Sequence, residues 1–246
     1  MSLPISRGLS LAAAVFVFTA VVSAGDKPKT GFVDATFKNA DGTTSPYVVF
    51  VPHEYDGTKE YPVILFLHGS GETKGGKKQP VEVGIGTAIK KQEKTFPFIT
   101  VIPQSEKRTW QADSDDGKRA LAILDEVTKT YKTDPKRISL TGLSMGGVGT
   151  WSLAIAHPDK WAAIVPICGY GDPAAAEKIK DLPAWVFCGD KDASLLLDGS
   201  RKMVEALIKA GGRPTYTEYP GVGHNSWDGA YAEKELFPWL LKQTRK

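Results

Sequence analysis

Cysteine is scarce in this 246-residue chain, with only Cys168 and Cys188 present. Both follow apolar runs that read as neighbouring strands, so the pair allows either one disulfide or two buried free thiols. A surplus of either charge is also missing. Lys and Arg total 31 against 28 for Asp and Glu, a net charge of +3, and this near-neutral balance predicts no polyanionic partner such as nucleic acid. The pairs Lys77-Lys78 and Lys90-Lys91 read as solvated faces. Internal repeats and low-complexity stretches are absent. So is an apolar run long enough for a membrane span: the longest, residues 9–22, has 14 residues, where about 20 are needed.

That short run follows Arg7 and ends at Val22-Ser23-Ala24, the small-residue pattern of a cleaved secretory leader. The expectation is a signal peptide over residues 1–24 and a mature chain starting at Gly25, without a stable membrane anchor and placed in the periplasm or outside the cell. Losing Arg7 lowers the net charge by one. The chain is 41% hydrophobic and 24% charged, which is enough apolar material for one sizeable core and suggests a single domain over residues 25–246.

Asp41-Gly42, between β-rich segments at 31–38 and 46–51, predicts an opening hairpin. Short apolar runs then follow at 63–67, 98–102 and 137–141, with further strand candidates at 162–167, 184–188 and 214–219. Continuous apolar runs suit strands covered on both faces. Helical stretches are expected at 86–91, 116–131, 144–156, 201–210 and 231–241, with one short helix at 174–180. Alternating strands and helices predict an α/β fold, a mostly parallel sheet with helices on both faces. No insertion is long enough for a large cap domain, so the cleft should be open and shaped by loops.

Gly142-Leu143-Ser144-Met145-Gly146 lies between a strand and a helix. The glycines allow the close approach that a nucleophile elbow requires, which makes Ser144 the candidate nucleophile. A serine hydroxyl needs a base in reach to take its proton. Of four histidines, His224 in a Gly-flanked loop after the last strand is the candidate. His157 reads as a capping or surface residue, and His53 as a loop residue. Asp192 is the preferred orienting acid, giving the order Ser144, Asp192, His224; Asp190, Asp198 and Asp172 are rivals. Donors for the developing oxyanion are the Met145 amide and that of Ser70 or Gly71, in the loop His68-Gly69-Ser70-Gly71-Glu72. Glu72 reads as an acceptor that organises this loop.

These segments together resemble the secreted esterase and polyhydroxybutyrate-depolymerase-like branch of the α/β-hydrolases, feruloyl esterases included, which is similar to the catalytic domains of prolyl oligopeptidases. The resemblance rests on Tyr61-Pro62 leading into Leu65-Phe66-Leu67-His68-Gly69, on Gly142-Leu143-Ser144-Met145-Gly146-Gly147, on Gly189-Asp190-Lys191-Asp192, and on Tyr216-Thr217-Glu218-Tyr219-Pro220 before Gly223-His224 and Trp227. It spans nearly all of residues 25–246. The sequence departs at Cys188, where many relatives carry His, and at residues 193–197, whose composition beside the acid is unusual. The resemblance implies the α/β-hydrolase fold and serine esterase activity through an acyl-Ser144 intermediate. It implies no metal or organic cofactor, and the implied partner is an ester of a short acyl group or an aromatic acid, on plant polysaccharide among other carriers. Trp110 and Trp227 are candidate substrate-binding residues, stacking on a feruloyl ring or a sugar, with packing beneath a loop as the alternative for each. Two other functions stay open: a serine peptidase of the prolyl-oligopeptidase type, and a carbohydrate-binding protein that keeps the scaffold without turnover.

Overall fold

An antiparallel hairpin opens the described chain, a computed structural model covering residues 28–245. Strand β1 (Gly31–Lys38) runs back along β2 (Thr44–Val51), in a register pairing Gly31 with Val51 and Lys38 with Thr44. Gly42 occupies the left-handed region with φ 84° in the turn, a conformation that costs glycine little. The expected leader at 1–24 lies outside the described residues, and no helix within them is long and apolar enough to cross a membrane.

The remaining strands are β3 (Tyr61–Leu67), β4 (Ile99–Pro103), β5 (Thr133–Leu143), β6 (Ala163–Ile167), β7 (Trp185–Gly189) and β8 (Thr215–Tyr219). They extend the hairpin into one eight-stranded sheet of order β1-β2-β4-β3-β5-β6-β7-β8. β2 meets β4 antiparallel, and every later pairing is parallel. All residues of β3, β4 and β6 are buried, as continuous apolar runs require when both faces are covered. Alternation along β3 divides its side chains: Val63, Leu65 and Leu67 join one core, Ile64 and Phe66 the other.

Helices α2 (Asp115–Thr130), α3 (Met145–Ala156) and α4 (Ser194–Lys209) supply Leu124, Trp151 and Met203 to the first core. Helices α1 (Ile85–Lys91), α5 (Trp227–Ala232) and α6 (Leu236–Leu241) supply Ile89, Tyr231 and Phe237 to the second. The expected sheet with helices on both faces is what the chain forms.

Three expected helices need correction. The stretch at 201–210 is the second half of α4, which starts at Ser194 directly after the acid loop. Asp198-Gly199-Ser200 resembles a turn but lies within the helix, and its glycine is required by packing, since a Cβ at Gly199 would collide with the Tyr170 side chain. The single helix expected at 231–241 is two, α5 and α6, separated by Glu233 in an extended conformation (φ −62°, ψ 119°). Pro238 then falls in the first turn of α6, where its missing N–H is tolerated. The helix at 174–180 is a 3-10 helix, Pro173–Ile179.

Candidate active site

Ser144 lies between β5 and α3 with φ 54° and ψ −118°. Cβ atoms at its neighbours would not fit: one on Gly146 would strike the Leu67 carbonyl oxygen, and one on Gly142 the Gly146 carbonyl oxygen. This close approach of strand and helix leaves the hydroxyl at the C-terminal edge of the sheet, and the Ser144 N–H donates to Ile167 O at 3.0 Å.

The loop after β8 brings His224 to this hydroxyl. Its Nε2 lies 2.8 Å from Ser144 Oγ and its Nδ1 3.0 Å from the Asp192 carboxylate. With Nδ1–H donating to the acid, Nε2 is free to accept from the serine. Asp192 is nearly inaccessible, with 1% of its side chain exposed, whereas the His224 side chain is 43% exposed. The Ala193 N–H also donates to Asp192 Oδ1 at 2.7 Å, and the Cys188 thiol reaches Oδ2 at 3.7 Å.

The three rival carboxylates are occupied elsewhere. Asp190 accepts from the Gly221 amide, tying the acid loop to the turn before His224. Asp172 caps the helix at Pro173–Ile179, and Asp198 faces Arg201. His157 forms the C-cap of α3, and His53 bonds Glu93.

Cys168 and Cys188 follow each other across β6 and β7, and both are free and buried. Burial pushes the Cys188 thiol up to about 11 and the Cys168 thiol higher still. Cys168, Asp192 and His224 bring potential ligand atoms within 4.8 Å of one another. Two members of this set already bond each other, and the raised thiol favours S–H over the thiolate a metal requires.

The loop after β3 forms a short 3-10 helix, Ser70–Glu72. Ser70 and Gly71 are exposed, while a Cβ on Gly69 would sit 2.9 Å from Leu143 and 3.7 Å from the Ser144 Cβ, so the loop abuts the elbow. Met145, as the first residue of α3, presents an amide with no partner inside the helix. Glu72 is buried behind Gly69, and burial pushes its carboxyl above the usual range against the opposing pull of the Gly69 N–H.

His68 anchors this loop in a way the sequence did not disclose. It is fully buried; the Ser105 N–H donates to Nε2 at 3.0 Å, so Nδ1 carries the proton that goes to Gly69 O at 2.6 Å. Burial depresses its pKa to about 4. Ser105 Oγ and the Glu106 and Lys107 amides converge in turn on the buried carboxylate of Asp116, which Arg119 also pairs. A polar residue in the first turn of a helix reads from sequence as ordinary, so nothing singled out Asp116.

Trp110 requires correction as a substrate-binding residue. It is 2% exposed, its Nε1–H donates to His68 O at 3.0 Å, and its ring meets His68 edge-on at 5.1 Å. It packs beneath the loop, with no face open to a ligand. Trp227 is half-buried and stands edge-on to His224, with centroids 5.3 Å apart, at the rim of a 470 Å³ cleft between α1 and α5.

The Esterase family model, described as "Putative esterase", matches residues 42–195. Among curated proteins, a bifunctional acetylxylan esterase/xylanase of Neocallimastix patriciarum is 24% identical over 70% of this chain and 24% of its own length. An endo-1,4-beta-xylanase/feruloyl esterase of Xylanibacter ruminicola is 28% identical over 72% of this chain and 26% of its own. The chain spans 24 to 42% of the length of the first curated relatives it matches. Among solved structures, a thermostable esterase superposes with a TM-score of 0.78 at 32% identity, covering 87% of this chain and 63% of that one.

Proposed function

Because the chain belongs to the Esterase family and has the α/β-hydrolase fold, we propose that it hydrolyses carboxylic esters through an acyl-Ser144 intermediate. The observation that carries this reading is the continuous hydrogen-bonded line from Ser144 Oγ through His224 to Asp192, at 2.8 and 3.0 Å. Ser144 Oγ attacks the ester carbonyl while His224 Nε2 takes its proton, and Asp192 orients the imidazole and stabilises its charge. The oxyanion accepts from the Met145 N–H and from the N–H of Ser70 or Gly71. As the tetrahedral adduct collapses, His224 returns the proton to the departing alkoxide. Water then attacks the acyl-serine by the same route, releasing the acid and restoring the hydroxyl.

The substrate class is a short-acyl, acetyl or feruloyl ester on plant polysaccharide. The names of the two bifunctional relatives support it, both of which join esterase to xylanase. Trp227 lines the side of the cleft next to His224. Residues 1–24 direct export to the periplasm or medium, a reading that rests on sequence.

The test is a panel of p-nitrophenyl acetate and longer acyl esters, methyl ferulate, acetylated xylan and a peptide anilide, assayed with wild type and Ser144→Ala. Ester turnover lost in the variant, with fluorophosphonate labelling that also disappears in His224→Ala, is expected. A folded protein that is neither labelled nor active on any ester would overturn the reading, and turnover of the anilide alone would make it a peptidase.

A further inference from the structure

A second cavity, of about 510 Å³, opens on the face of the sheet opposite the Trp227 cleft. Its floor is the outer side of α3, with Val148, Ser152 and Ile155, and its rim carries Gln111, Asp113 and Tyr170. The volume falls within the range of built ligand sites. The Val148 N–H bonds Ser144 O at 3.0 Å, so the floor starts one helical turn from the nucleophile, about 6 Å along the axis.

The walls are fixed. The Ala112 N–H donates to Ser152 Oγ at 3.0 Å, tying the 111–113 segment to α3. Gly169 packs against Gly147 at the start of α3, and Gly199 of α4 receives the Tyr170 side chain. Tyr170 follows Gly169 and packs its Cβ and Cγ against Gly199 of α4, yet it is 37% exposed, one of few large apolar side chains so open among the described residues. Asp113 and Lys178 line the same cavity and form no ion pair among the described residues.

A partly exposed aromatic side chain beside carboxylate, amide and hydroxyl groups has the chemistry of a site for sugar rings. Apolar C–H faces stack on the ring while hydroxyls bond the polar rim. We propose that this cavity is a carbohydrate subsite, holding a neutral sugar chain on which the scissile ester is carried, with Tyr170 as its stacking platform. The inference rests on the ester-hydrolase reading and extends it from the reacting bond to the polymer that presents it.

The probe is xylohexaose, unesterified, titrated into wild type, Tyr170→Ala, Tyr170→Trp and Asp113→Ala; kcat and KM for p-nitrophenyl acetate and acetylated xylohexaose are measured on the same proteins. Expected are weaker xylohexaose binding and a higher KM for the acetylated oligosaccharide in Tyr170→Ala, by about two- to tenfold, with recovery in Tyr170→Trp. Asp113→Ala, at an exposed position away from α4, should weaken the same two quantities. Both constants for p-nitrophenyl acetate should stay unchanged in all variants. Absence of xylohexaose binding by wild type, unaltered binding in both alanine variants, or equal losses on the two esters overturns the subsite. If wild type turns over no ester yet binds xylohexaose in a Tyr170-dependent way, the ester reading falls and the sugar site stands.

Discussion

His68 should make this fold sensitive to mild acid, and the sign and size follow from its burial. The imidazole is held neutral, with Nε2 accepting from the Ser105 amide, and its pKa falls from 6.5 to about 4. Between these values the unfolded chain binds a proton that the folded one refuses. Its contribution is therefore fully present above pH 6.5 and is lost progressively as the pH falls towards 4. A gap of this size amounts to about 2 kcal/mol by pH 5 and about 3 kcal/mol by pH 4, relative to neutral pH. Glu72 acts in the opposite direction, because burial raises its pKa and protonation favours the folded state. Carboxylates held below their usual range, such as Asp134 and Glu218, lose their contribution only at lower pH. The assay is urea unfolding of wild type and His68→Gln at several pH values from 7.5 to 4.3; glutamine offers both an acceptor and a donor but does not titrate. The wild-type curve should fall more steeply than the variant's by the amounts given. Parallel curves would refute a neutral, desolvated His68.

Asp192→Asn should leave the fold intact and lower kcat for p-nitrophenyl acetate by about 10⁴-fold, because the amide favours the wrong imidazole tautomer; a loss under tenfold would remove Asp192 from its role. Gly146→Ala forces a Cβ into the Leu67 carbonyl oxygen, so thermal unfolding should show a destabilisation of at least about 2 kcal/mol. Trp110→Phe keeps an aromatic ring but removes the pyrrole half of the indole, and with it the donor to the buried His68 carbonyl, costing at least about 1–3 kcal/mol in urea unfolding. Its KM for methyl ferulate should not change, and a raised KM with unaltered stability would restore Trp110 to the substrate surface.

The sheet was legible because its strands are uninterrupted apolar runs. Val63 to Leu67 and Ile99 to Ile102 can be buried on both sides in only a few ways, and alternating helices force a parallel order. Ser144 was legible because glycines at 142 and 146 have a steric reason at that spacing, and His224 and Asp192 because their loops follow the right strands. What remained hidden depends on distant partners. Gly199 looks like a helix breaker until Tyr170 is placed against it, and Pro238 looks like a mid-helix residue until Glu233 ends the preceding helix. Trp110 and Asp116 face inward to support the loop carrying His68, and neither local periodicity nor residue type distinguishes that from a ligand surface or a solvated helix start. Asp192 was preferred over Asp190 from its place in the acid loop, and the structure supplies the physical reason: Asp190 accepts from the Gly221 amide, whereas Asp192 meets His224 Nδ1.

The backbone at Ser144, φ 54° and ψ −118°, sets a conflict between durability and catalysis. A non-glycine residue there raises the free energy of the native state by about 1–3 kcal/mol, which the surrounding sheet and α3 must absorb. Glycine would relieve that strain here, as it would at Arg108 and Cys168, but at Ser144 it would also remove the hydroxyl. Gains in robustness that keep the proposed chemistry have to come from other sites, such as the exposed hairpin turn at residues 40–43 or the solvent side of α4, where they leave the elbow taut.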